Sequence, residues 1–192
     1  KNKTAVVLVD RDYNQLRYPT VQSDNYHSAL DLARRILAEK PAELYFLCGR
    51  SDLPSIQDRM RGFSVAMQEA AMPSGWIRHA EQDSAKAGYE MMSGLIGGAG
   101  HIPAAFMCSS LLILEGALQA IKERGGRIPA DLLIGTFDDH AMLDLLPNRV
   151  LSARQDEAQL AVLVFDRLLE QMAGGEVTQM RNIVPCRLIC RN

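Results

Sequence analysis

Short apolar runs rich in β-branched residues alternate along this chain with longer stretches whose apolar positions recur every three or four residues. The first pattern suits strands buried on both faces and the second amphipathic helices, so their alternation predicts βαβ units on a parallel sheet. TAVVLVD (4–10) reads as a buried strand. SDNYHSALDLARRILAEK follows as a helix capped by Ser23 or Asp24, with Ala29, Leu32, Ala33, Ile36 and Leu37 on one face and Pro41 beyond its end. AELYFLCG predicts a central strand, and SIQDRMRGFSVAMQEA a helix carrying Ile56, Met60, Phe63 and Met67. WIRHA is a short strand, and SAKAGYEMMSGLIG a helix whose end the glycines at 94, 97, 98 and 100 are expected to fray. AAFMCSS returns as a strand, SLLILEGALQAIKERGG as a helix with Gly125 as its left-handed stop, and IPADLLIGTFDDH as another strand. The alternation then gives way to a helical turn at HAMLDLL, a strand at RVLSARQ, a long helix from Asp156 and terminal strands around MRNIVPCRLIC.

Composition narrows the class. With 192 residues, 47% of them hydrophobic, the chain has material for a buried core. The 21 basic and 23 acidic residues leave a net charge of -2, without the positive field of a nucleic-acid binder. No apolar run approaches the roughly 18 residues of a membrane span, and no signal-peptide pattern is present. Cys48, Cys108, Cys186 and Cys190 lack metal-ligand spacing and fit buried free thiols in a cytoplasmic protein.

In an open parallel sheet, ligands bind at the carboxyl ends of the strands, so polar residues that end apolar strands are the first candidates. Asp10 and Arg11 end one strand, Ser109 and Ser110 another, Asp138 and Asp139 a third, and Gln155 a fourth; Arg59 lies early in a helix that follows a strand. All are expected on one rim. Carboxylates accept from vicinal hydroxyls and a guanidinium donates in a fixed fork, the groups that sugar recognition requires. Each has a structural alternative: Asp138 or Asp139 as the cap of the HAMLDLL turn, Arg59 in a surface ion pair, Ser110 as an N-cap. Catalytic motifs are missing from the sequence, and GLIGGAG follows a helix where a dinucleotide-binding loop must follow a strand. Among the four histidines only His140, beside Asp138 and Asp139, suggests acid/base or metal chemistry, and no third group completes such a site. A binding module is expected, with no enzyme activity, no cofactor and no metal.

VVLVDRD, VQSDN, LCGRSDLPSIQDRMRGF, IPAAFMCSS leading into LLILEGALQAI, and IGTFDDHAMLDLL followed by LSARQD together resemble the effector-binding core of lac-repressor-like (LacI/GalR) transcription regulators. FDDH, the LEG of LLILEG, DRMRGF and GYEMM are most similar to the sucrose and fructose repressors of that family. The resemblance implies a periplasmic-binding-protein-like (type I) α/β fold of three layers around a parallel sheet, with one complete lobe and fragments of the other. It implies residues 1–18 as the last strand of the first lobe and a crossover, 19–149 as the second lobe, 150–174 as a crossover and first-lobe helix, and 175–192 as terminal strands returning to the second lobe. It further implies a sugar or sugar-phosphate effector held by Asp10, Arg11, Arg59, Ser110, Asp138 and Gln155, a homodimer, and operator DNA read by a helix-turn-helix that this sequence does not contain. On this reading Val6–Val9 and the helix 156–172, with Leu160, Val164, Phe165 and Leu168, lose their usual cover and expose an apolar patch. Two departures bear on the ligand: Ser110 and Leu111 stand where many members carry Asn-Asp, and Asp83 where some carry an aromatic. The alternative is a periplasmic sugar-binding protein of a transporter, which shares the fold.

Overall fold

The computed structural model describes residues 4–10, 18–73, 76–174 and 179–192. Six strands form the larger sheet, in the order β4 (Ile77–His79), β3 (Leu44–Cys48), β5 (Ala105–Cys108), β6 (Leu133–Phe137), β7 (Val150–Arg154) and β9 (Arg187–Arg191). All pairs are parallel except β7 with β9.

Alternation along these strands explains why they read as unbroken apolar runs. Leu44, Phe46 and Cys48 of β3, Met107 of β5 and Leu151 of β7 face α1 (Asn25–Leu37) and α2 (Pro54–Glu69). Their neighbours Leu47, Phe106, Cys108 and Val150 face α3 (Ala85–Ala99) and α4 (Leu111–Gly125). Both faces are covered, and each fully buried side chain of this size contributes roughly 1.5–3 kcal/mol. Glycines bring the paired helices together. A Cβ on Gly62 would collide with the Tyr26 carbonyl oxygen, one on Gly88 with that of Ile113, and one on Gly116 with that of Ala85.

A second, three-stranded parallel sheet runs β1 (Leu8–Val9), β2 (Thr20–Ser23), β8 (Arg181–Val184). The helix α5 (Glu157–Met172) covers it, with Leu160 packed against Val21 and Val184. The chain passes between the sheets where β2 leads into α1, where β7 leads into α5, and at Pro185 between β8 and β9.

Several elements differ from the sequence-based expectation. TVQS is a strand, β2, although its polar residues resemble a helix entrance; Thr20, Gln22 and Ser23 are all buried. Thr20–Ser23 and Arg181–Val184, assigned from the sequence to the larger unit, are hydrogen-bonded into the three-stranded sheet. Within 4–10 only Leu8–Val9 pairs as strand. The helix α3 continues through Gly94, Gly97 and Gly98 and stops at the left-handed Gly100, and α4 ends on the left-handed Gly126 rather than Gly125. Leu160 is buried and Leu168 half-buried; the exposed apolar stripe of α5 is Val162, Phe165, Leu169 and Met172, because the face of Leu160, Leu163 and Val164 is occupied by the small sheet. All four cysteines are free, Cys48 and Cys108 buried as expected, whereas Cys190 is exposed.

Candidate functional site

The carboxyl ends of β1, β2, β6 and β7 meet where the chain crosses between the sheets, and one line of hydrogen bonds joins them. The Asp10 carboxylate accepts from the Ser23 amide at 3.3 Å, and the Ser23 hydroxyl donates to Gln155 Oε1 at 2.6 Å. Gln155 Nε2 in turn donates to Asp138 Oδ1 at 2.6 Å. Asp10 and Asp138 both hold left-handed backbones, with φ of 52° and 67°. Non-glycine residues adopt this region at a cost, and Asp bears it better than most. Both aspartates stand at strand ends that border one crossing.

Arg59 is buried rather than surface-paired. Its Nε donates to Asn25 Oδ1 at 2.8 Å, its Nη1 to the Ser109 carbonyl at 2.6 Å, and the guanidinium stacks 3.9 Å from the centre of the Phe137 ring. Burial pushes its pKa below the usual range, while the negative charges of Asp138, Asp10 and Asp83 act in the opposite sense. Ser110 caps α4 through the Ile113 amide and also donates to Asp83 Oδ1 at 2.8 Å. The Ser109 hydroxyl accepts from the Gly49 amide.

A cavity of about 1390 Å³ adjoins this line; Asp138, Asp139, His140, Gln155 and Cys186 are on its wall, while Arg59 and Ser110 are not among its described lining residues. A smaller cavity of about 490 Å³ is lined by Asp10, Gln155 and the start of α5.

Asp10, Asp138 and Gln155 are thus connected directly, Arg59 joins them through Phe137 and charge, and Ser110 stands further off beside Asp83. Arg11 lies outside the described residues. Asp139 serves the large sheet instead, accepting from Ser152 at 2.5 Å and pairing with Arg191 at 2.8 Å. His140, rather than either aspartate, caps the 3-10 helix Ala141–Leu145 through its Nδ1. Among the described residues no group of three or more His, Cys, Asp or Glu side chains is placed to hold a metal ion. Sequence reasoning missed Ser23 and Asn25, hidden inside a segment that resembled a helix entrance, and treated Asp83 only as a departure.

Residues 34–192 match the periplasmic binding protein-like domain. The sucrose operon repressor of Klebsiella pneumoniae is 28% identical over 190 residues, 97% of this chain and 56% of that protein. The CytR repressor of Escherichia coli K12 is 24% identical over the whole of this chain and 56% of its own length, so the chain spans little more than half of these relatives. The solved Cra regulator of Pseudomonas putida in complex with fructose 1-phosphate superposes with a TM-score of 0.86 at 26% identity, covering 98% of this chain and 69% of that one. A LacI regulator from Bacillus cereus, 25% identical, superposes with a TM-score of 0.80. The chain belongs to the periplasmic binding protein-like domain family, and it is similar over its whole length to regulators of the LacI group.

Proposed function

We propose that this chain is the sugar-sensing module of a LacI-type transcription repressor of carbohydrate metabolism, acting by binding and without turnover. The observation that carries this reading is the Asp10–Ser23–Gln155–Asp138 line, which ties the small sheet to the large one at their carboxyl ends. A sugar with adjacent hydroxyls can replace bonds in that line, accepting from Gln155 and donating to the two aspartates, with Arg59 and Ser110 nearby and Arg11 following Asp10 in sequence. Such a ligand favours the arrangement in which both sheets reach it, which is the differential contact that a conformational signal requires. The protein acts in the cytoplasm as a homodimer, the operator being read by a helix-turn-helix outside these residues. Exposed Leu112 of α4 and Met142 and Leu145 of the 3-10 helix are the apolar residues we assign to contact with the second copy.

Calorimetry on the intact protein with fructose, sucrose and their phosphates tests the reading. One of these sugars is expected to bind, and Asp138→Asn to weaken it by about tenfold or more, the loss of one hydrogen bond to a charged group. Binding unchanged by Asp138→Asn, or none by any of these sugars, contradicts it.

A further inference from the structure

The antiparallel pairing of β7 with β9 sets Arg154 directly opposite Arg187. Directly opposed residues project from the same face with Cβ atoms roughly 5 Å apart, and like charges there are destabilising. Both arginines are exposed, and both line the large cavity. Its wall carries a third arginine, Arg191, and the contrast between them is informative. Arg191 takes Asp139 at 2.8 Å and Asp144 at 2.5 Å, and it also donates to the Ser152 hydroxyl. Neither Arg154 nor Arg187 has an ion pair or side-chain hydrogen bond among the described residues; Arg154 acts only at longer range, helping to keep Asp139 ionised.

Apart from Glu157, the acids on this wall are already engaged. Asp138 accepts from Gln155, and Asp156 caps α5 through the Gln159 amide. Glu157, exposed on the same wall, is the one acid there that forms neither an ion pair nor a side-chain hydrogen bond among the described residues. Two arginines at opposed register positions on one cavity wall can both offer their forks to a tetrahedral oxyanion, which removes their mutual repulsion.

We infer that Arg154 and Arg187 form a phosphate-binding site beside the candidate sugar line, separate from Arg59 and independent of which sugar that line accepts. The group bound is a phosphate, either free or carried by a phosphorylated metabolite.

Phosphorus NMR and calorimetry with inorganic phosphate, on the intact protein and at constant ionic strength set with chloride, test the site. Saturable phosphate binding is expected. The double substitution Arg154→Gln, Arg187→Gln should weaken it by about tenfold or more, with each single change intermediate. Glu157→Gln should strengthen it by removing an unpaired negative charge from the wall, and Asp138→Asn, which disables the sugar line, should not abolish it. In the absence of phosphate the double variant should melt no lower than the parent, because an opposed like-charge pair has been removed. Comparing fructose 1-phosphate with fructose separates the two sources: a gain for the phosphorylated sugar that the double variant abolishes assigns the phosphate to a sugar ligand, and inorganic phosphate binding without such a gain assigns it to the free anion. Phosphate binding that chloride suppresses equally, or that survives in the double variant, overturns the site.

Discussion

Two acidic residues shape the acid and alkaline sides of this structure's pH dependence. Burial pushes the Asp139 carboxyl up, yet hydrogen bonds from Arg191 and Ser152, with the charges of Arg191 and Arg154, outweigh it and hold the group below its ordinary value of 3.8. Stability from Asp139 is therefore complete above that value and is lost as the pH falls through the lower folded one. Glu43 acts in the other direction. Its hydrogen bond, with another to the Ala99 carbonyl, raises exposed His101 above 6.5, so this contribution is complete below 6.5 and fades as the pH rises through the higher folded value. Melting temperature followed against pH should show Asp139→Asn flattening the acid side and Glu43→Gln the alkaline side; unchanged profiles would refute the assignment. At this scale the strand-end rule picked out Asp10, Asp138 and Gln155 as candidates, and hydrogen bonds through Ser23 join the three in the fold. Asn25 and Asp83 escaped it because one sits on a helix and the other in a loop, and only the folded chain brings them to Arg59 and Ser110.

Helix pairing depends on which glycines meet backbone. Gly116 and Gly94 are both interior to helices, but a Cβ at Gly116 would collide with the Ala85 carbonyl and one at Gly94 would meet nothing within 4 Å. Gly116→Ala is expected to destabilise by about 1–3 kcal/mol as the helices separate. Gly94→Ala should instead stabilise by about 0.5–1 kcal/mol through helix propensity. Urea unfolding of the two variants checks this, and equal effects would show that the close approach is not tight. The glycines of α3 looked like helix-ending residues in sequence, and the packed face of Met92, Leu95 and Ile96 overrides their low propensity. The strands β3, β5, β6 and β7 were legible because both their faces are apolar. β2 was not, since its buried Thr20 and Gln22 gain their place through pairing with β8 rather than through hydrophobicity.

For the whole molecule, the fold class was readable from the βα alternation, while the division between the two sheets was not, because it depends on pairing between strands about 160 residues apart. The same scale governs assembly. Leu145, 82% exposed, and Met142, 63% exposed, are costly on a monomer and suit a self-complementary contact. Light scattering of the intact protein should give a dimer that Leu145→Asp converts to monomer, and a parent protein already monomeric at micromolar concentration would rule the contact out. The three passages between the sheets carry a last implication. Polar bonds from Ser23 to Asp10 and Gln155 fasten the crossings, and each such bond contributes only about 1 kcal/mol net. A sugar bound as proposed would take up those same polar atoms, so occupancy and stiffness would rise together.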